Sequence, residues 1–340
     1  MTDFRDETIQ LAHGSGGRAT RRLIEGLFAP LLSNPALDAM GDAASLEVDR
    51  SRLAMTTDCF VVNPLSFPGG CIGSLAIHGT VNDLAVSGAE PVAITAGFVL
   101  EAGLASSVLR AQIEAMAGVA RAIGVPVVAG DTKVVEHGKA DGMYICTTGL
   151  GRVHERADLD PARVRPGDRV LVSGPIGDHG ITILVARSEI DLETDLASDS
   201  RSVLAMTRAL LDALGPGVKW MRDATRGGVA TVLNELADAA GVGVAIDEPE
   251  IPVRDEVRGA CELLGLDPLH VANEGQFVAV VSGEDADHAL ESVRSVPGGE
   301  QARLIGEITE APARTVLGRS GYGSARVIDV LIGDPLPRIC

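Results

Sequence analysis

The apolar residues of this chain come in short runs, and turn formers close nearly every run. Val125-Pro126-Val127-Val128-Ala129 stops at Gly130-Asp131, and Pro64, Pro68 and Gly69-Gly70 interrupt the chain between two other apolar stretches. Such runs have the length of buried strands. Other stretches carry helical spacing: Leu23, Leu27 and Leu31, with Ile24, Phe28 and Leu32, share one face of a helix expected over 18–32. Glycine numbers 40, hydrophobic residues make up 46% and aromatic residues only 3%, an aliphatic, glycine-turned composition. It fits an α/β or α+β protein rather than a disordered or fibrous one. With 340 residues the chain has room for about two domains, each with its own core.

In the first half, strands are expected at 53–62, 92–99, 125–129 and 143–151, with helices at 72–87 and 105–123. The turn-rich stretch Pro161–Gly167 divides the halves. In the second, strands are expected at 169–173, 218–222, 242–246, 277–281, 302–308 and 326–330. Helices fill the intervals, with an acidic loop over 188–201. Domains of 1–160 and 161–333 follow, with a tail at 334–340. That tail reads Asp334-Pro335-Leu336-Pro337-Arg338-Ile339-Cys340. Its two prolines lack backbone donors and push their predecessors toward extended backbone, which predicts a semi-rigid stalk with a thiol at the tip.

A net charge of −18 argues against nucleic acid or an anionic membrane as partner, and no apolar run is long enough to span a bilayer. The first residues have no apolar core of the signal-peptide kind, so a cytoplasmic setting is expected. The five cysteines are scattered and form no C-x-x-C pair, which predicts neither a disulfide framework nor structural zinc. Cys59, Cys146 and Cys261 read as small core residues.

Candidate chemistry falls in a few places. His13-Gly14-Ser15-Gly16-Gly17 before a helix lets backbone approach an anion. Asp58, Asn82-Asp83 and Asp131 sit where apolar elements end or break, a hard-oxygen set suited to magnesium beside phosphates. Lys133, expected in a loop after a strand, reads as a phosphate contact or a solvated lysine. Arg222-Asp223-Ala224-Thr225-Arg226-Gly227-Gly228 joins a strand to a helix, where Asp223 or Thr225 caps the helix or the arginines meet an anion. Asp178 is a further expected cap beside His179, and Glu274 in Ala272-Asn273-Glu274-Gly275 reads as turn residue or general base.

Together with Phe67-Pro68-Gly69-Gly70, Gly79-Thr80-Val81-Asn82-Asp83-Leu84-Ala85, Gly130-Asp131-Thr132-Lys133-Val134-Val135 and terminal Pro337-Arg338-Ile339-Cys340, these motifs closely resemble the HypE family of nickel–iron hydrogenase maturation proteins. Most of the motifs are shared with the wider aminoimidazole ribonucleotide synthetase superfamily; the terminal Pro-Arg-Ile-Cys is the specific one. The resemblance spans essentially the whole chain. It implies a two-domain PurM-like fold, with an N-terminal domain that dimerises through its sheet and a C-terminal α/β domain. It also implies ATP with Mg2+ as cofactors. The metal ligands would be Asp58, Asp83 and Asp131. His13, Gly14, Ser15, Gly16, Gly17, Asn82, Thr132, Asp223, Thr225, Arg226 and Gly227 would bind nucleotide. Lys133, Glu274 and Cys340 would be catalytic, Cys340 as carrier. Ser74 and Gln276 stand where lysine is common in that family, and Cys71 where Asp or Asn is.

The activity so implied begins with carbamoyl transfer to Cys340 by the carbamoyltransferase HypF. ATP-dependent dehydration to a thiocyanate follows, and the cyano group passes to iron on a HypC–HypD complex. Two other readings carry different expectations. A superfamily phosphotransferase acting on selenide or a purine intermediate would need a free acceptor, and the selenophosphate type carries its Cys in the N-terminal glycine-rich loop, where this chain has none. A scaffold or metal chaperone would need more soft ligands than one thiol.

Overall fold

A computed structural model of the chain describes residues 4–10, 13, 22–34, 52–188, 193–330 and 338–340. It divides into two compact units: Met1–Leu84 with Pro91–Arg152 and Cys340, and Ala85–Glu90 with Val153–Ile339.

In the first unit a π-helical turn, Ile24–Phe28, runs into α1, Ala29–Leu32. Strand β1, Leu53–Phe60, precedes the small ribbon of β2, Ser66–Phe67, and β3, Gly70–Cys71. Then come α2, Ile72–Val86, β4, Ala89–Glu101, α3, Ser106–Ile123, β5, Val127–Val135, and β6, Met143–Val153. The four long strands form one sheet in the order β1-β6-β4-β5, with β1 antiparallel to β6 and β4 parallel to β5. Alternation along β1 leaves Leu53 and Met55 exposed at 47% and 70%. Ile77, Val81 and Leu84 of α2 and Ile113 and Met116 of α3 are buried. Gly73 lets these helices meet, since a Cβ there would lie 2.0 Å from the Gln112 carbonyl oxygen.

Two expectations need correction here. Strand β5 does not stop at Ala129 but continues to Val135, so Asp131, Thr132 and Lys133 lie within a strand. Parallel pairing of Gly97–Glu101 with Asp131–Val135 overrides the poor strand preference of Gly130-Asp131. Cys59 and Cys146 are not core residues: both are exposed, and they join as a disulfide across β1 and β6, their Cα atoms 4.3 Å apart. Their neighbours Phe60 and Ile145 are buried register partners, so the period of two turns both cysteines outward, directly opposite one another. Cys261 is buried as expected, and burial pushes its thiol up to about 11.

The second unit is built on a seven-stranded sheet in the order β13-β12-β9-β11-β7-β10-β8. Its strands are β7, Arg169–Val172, β8, Val218–Asp223, β9, Gly243–Asp247, β10, Phe277–Val281, β11, Arg303–Thr309, β12, Thr315–Arg319, and β13, Ala325–Ile328. Its helices are α4, Asp178–Ala186, α5, Leu204–Leu214, α6, Gly228–Ala240, α7, Asp255–Leu264, and α8, Ala286–Arg294. Val278 and Val280 of β10 join Val170 and Val172 of β7 in one core with Leu233 and Leu236 of α6. Phe277, Ala279 and Val281 join Leu171 in another, with Met206 and Leu210 of α5 and Ala289 and Val293 of α8. Both faces of the central strands are therefore covered by helices, which is why those strands read as unbroken apolar runs.

Candidate active site

The carboxylates of α2 and β1 meet in the first unit. Gly79 and Asp83 are one helical turn apart on α2 and share a face. A Cβ at Gly79 would lie 3.5 Å from Asp58 Oδ2, and the Thr56 hydroxyl donates to Asp83 Oδ2 at 2.6 Å. Asp58 on β1 and Asp83 on α2 thus stand close together, both half-buried, and Asn82 next to Asp83 is buried. Asp131 is elsewhere. It sits on β5, at the opposite edge of the sheet from β1, roughly 14 Å away at the usual spacing between strands. There its carboxylate lies 3.1 Å from the Lys133 ammonium, and hydrogen bonding to that ammonium holds it below the usual carboxylate range. Asp131 and Thr132 border a small, mostly apolar cavity of about 120 Å³. No cluster of three metal-ligating side chains occurs among the described residues.

His13 is buried, with both ring nitrogens engaged: Nδ1 accepts from the Gln10 N–H at 2.9 Å, and Nε2 lies 2.9 Å from Asp6 Oδ2. Gly14, Ser15, Gly16 and Gly17 lie outside the described residues. Ser74 hydrogen-bonds both the N–H and the carbonyl of Cys71, so these two departures from the family pattern serve the start of α2.

In the second unit three loops are bolted together by Asn273. Its side chain accepts from the Gly177 N–H at 2.7 Å and donates to the carbonyls of Ala224 and Val271. This joins the segment before α4, the Asp223–Gly227 segment and the Glu274 loop. Asp223 ends β8 opposite Phe277, and Gly227, not Asp223 or Thr225, is the N-cap residue of α6. The expected cap is therefore a correction; a left-handed glycine turns the chain there instead. Asp178 likewise does not cap α4: it pairs with Arg254 at 2.8 Å, and burial pushes it up to about 6. Arg226 is exposed.

Glu274 is 3% exposed, and its loop is held by Asp199, whose carboxylate accepts the N–H groups of Glu274 and Gly275 at 3.0 and 3.1 Å. Gly275 cannot be larger, since a Cβ would sit 1.9 Å from the Asp199 carbonyl oxygen. Burial raises Asp199 while those two N–H groups lower it. Asp199 lies 75 residues from Glu274 in a stretch read only as an acidic loop, and no local signal marks the pairing. Gln276 accepts from Ser173 at 2.7 Å inside the same unit. Beside these loops lies a polar cavity of about 440 Å³, bordered by Asp178, Asp199, Arg201 and Arg254. Finally, Ile339 is 2% exposed and its carbonyl lies 2.9 Å from His179 Nε2. In the first unit the main-chain oxygen of Cys340 accepts from the Val61 N–H at 3.0 Å.

This fold is that of the AIR synthase related proteins. Residues 40–153 match their N-terminal domain and residues 165–318 their C-terminal domain. The carbamoyl dehydratase HypE of Azotobacter vinelandii is 49% identical over 338 residues, 99% of each chain. A solved HypE with ATP bound superposes with a TM-score of 0.94 at 43% identity, covering 98% of this chain and 100% of that one. HypE from a HypE–HypF complex gives 0.80 at 43% identity over 91% and 99%. The chain belongs to the HypE family of hydrogenase maturation proteins.

Proposed function

We propose that the chain is an ATP-dependent carbamoyl dehydratase of nickel–iron hydrogenase maturation, with its own Cys340 as the substrate-bearing residue. What carries this reading is the full-length likeness, 49% identity over 99% of both chains, to a carbamoyl dehydratase. ATP as phosphoryl donor is supported by the ATP-bound relative, and HypF as source of the carbamoyl group by the HypE–HypF complex. The cyano acceptor is a HypC–HypD iron complex, and the reaction runs in the cytoplasm.

HypF delivers a carbamoyl group to the Cys340 sulfur. An amide oxygen is a poor leaving group, so it is phosphorylated: the amide oxygen takes the γ-phosphoryl group, ADP departs and one N–H proton is lost. Loss of the second N–H proton then expels phosphate, breaking the C–O bond and leaving S–C≡N. Glu274, only 3% exposed, accepts the protons. Lys133 stabilises charge on the carboxamide oxygen. Asp223, Thr225, Arg226 and Gly227, with the His13–Gly17 segment, Asn82 and Thr132, hold the nucleotide.

Asp58 and Asp83 fit Mg2+, which uses one or two carboxylates and leaves its other positions to water and phosphates. The ion would neutralise the transferring phosphoryl charge. Asp131, at the far sheet edge, completes the set only from a second copy. The homodimer assembles through the sheet, whose exposed Leu53 and Met55 give it an apolar face to bury.

Intact mass spectrometry of the full-length protein with HypF, carbamoyl phosphate, Mg2+ and ATP tests the proposal. Cys340 should gain one carbamoyl group and then lose one water, and Glu274→Gln should stop at the first product. Carbamoylation with no ATP-dependent loss of water would reduce the chain to a carrier.

A further inference from the structure

We infer that Asp199 and Arg201 are positioning residues for the dehydration: together they clamp the backbone of the Glu274 loop and so fix where the Glu274 carboxylate stands. The clamp serves the proposed base, so its role rests on that reading of Glu274.

Ahead of Glu274 the Asn273 N–H donates to the Ala224 carbonyl at 3.0 Å, and beyond it the Gln276 carbonyl accepts the Ala224 N–H at 3.1 Å. Glu274 and Gly275 are therefore the span between two anchored residues, and segment 199–201 closes over that span. One Asp199 oxygen accepts the Glu274 N–H at 3.0 Å, and the other accepts the Gly275 N–H at 3.1 Å. Arg201 Nε donates to the Gly275 carbonyl at 3.2 Å. A Cβ on Gly275 would lie 1.9 Å from the Asp199 carbonyl oxygen and 2.6 Å from Arg201 Cγ, so the two segments meet with no slack. These three bonds end on main-chain groups of the loop, and they fix the direction of the Glu274 side chain without using its carboxylate. The task is specific to an aspartate. Two successive N–H groups face one side chain, and each takes its own oxygen. Asn has the same shape but one acceptor, so whichever way its amide turns, an NH2 group meets an N–H. A buried donor left without an acceptor loses its bond and stays desolvated. A general base works only within hydrogen-bond reach of the proton it takes, and a displacement of about 1 Å costs up to ~100-fold in rate.

Time-resolved intact mass spectrometry of the full-length protein with HypF, carbamoyl phosphate, Mg2+ and ATP reads carbamoylation and loss of water as separate steps. In Asp199→Asn the loss of water should slow about tenfold. Carbamoylation of Cys340 should keep its parental rate, and the ATP concentration for half-maximal dehydration should not move. The solvent deuterium isotope effect on water loss should rise, because a misplaced base makes proton transfer the slow step; a merely loosened fold would leave it unchanged. Hydrogen exchange in the peptide spanning residues 272–276 should quicken in the same variant. Arg201→Met removes one bond and keeps both Asp199 acceptors. It should slow water loss about threefold with the same signature, and it decides the matter if Asp199→Asn does not fold. Parental water loss in these variants, or slower loss at an unchanged isotope effect, would overturn the clamp. Parental water loss in Glu274→Gln would instead sink Glu274 as the base, and the clamp's role with it.

Discussion

Asp178 and His179 are neighbours in sequence whose titrations pull on stability in opposite directions. The His179 pKa is lowered from 6.5 to about 4, so its contribution is present above 6.5 and is lost as pH falls toward 4. The Asp178 pKa is raised from 3.8 to about 6, so its contribution is present below 3.8 and is lost as pH rises through 6. Each shift corresponds to about 3 kcal/mol, and over the shared window the two nearly cancel. Relative to the parent, Asp178→Asn should lose stability as pH drops from 6 to 4, while His179→Asn should gain it. Urea denaturation across that range reads the difference, and parallel curves for all three proteins would refute it. Both residues stand in the sequence as Gly177-Asp178-His179-Gly180, where Asp178 reads as a cap. Their burial and their partners, Arg254 and Ile339, come from 76 and 160 positions away, and no local pattern announces them.

Most elements were legible because their apolar periods are clean, and the failures have two physical sources. Strand β5 was cut short because Gly130-Asp131 looks like a turn. Its eight-pair register with β4 supplies what local preference lacks. The cross-strand cysteines were invisible because the 87 positions between them hide a register that only the folded sheet sets. That pairing has a direct consequence for titration with a thiol reagent under denaturing conditions. Three thiols, those of Cys71, Cys261 and Cys340, should react before reduction and five after. Five at the outset would mean that no covalent bond joins β1 and β6. Of the candidate site, the carboxylates, the lysine and the glutamate were named from the sequence as candidates. It did not show that Asp131 belongs to the far edge of the sheet, since strand order is written in no single stretch.

For the whole molecule that edge separation matters most. Asp58 and Asp83 stand at one side of the sheet and Asp131 at the other, so under the proposed homodimer each site draws on both copies. Asp83→Asn and Asp131→Asn should each be inactive alone. After subunit exchange in an equal mixture, about a quarter of parental dehydration should return, because half the dimers are mixed and each has one intact site. No recovery, with exchange verified, would place the whole site within one chain. The contacts along the tail have a different bearing. His179, Arg187 and Val61 all engage main-chain oxygens of residues 338–340, and none of these hydrogen bonds involves the sulfur. Each of these bonds ends on a main-chain oxygen, which carbamoylation or cyanation of the sulfur leaves chemically unchanged. The grip on the tail's backbone is therefore separate from the bond that carries the group on sulfur.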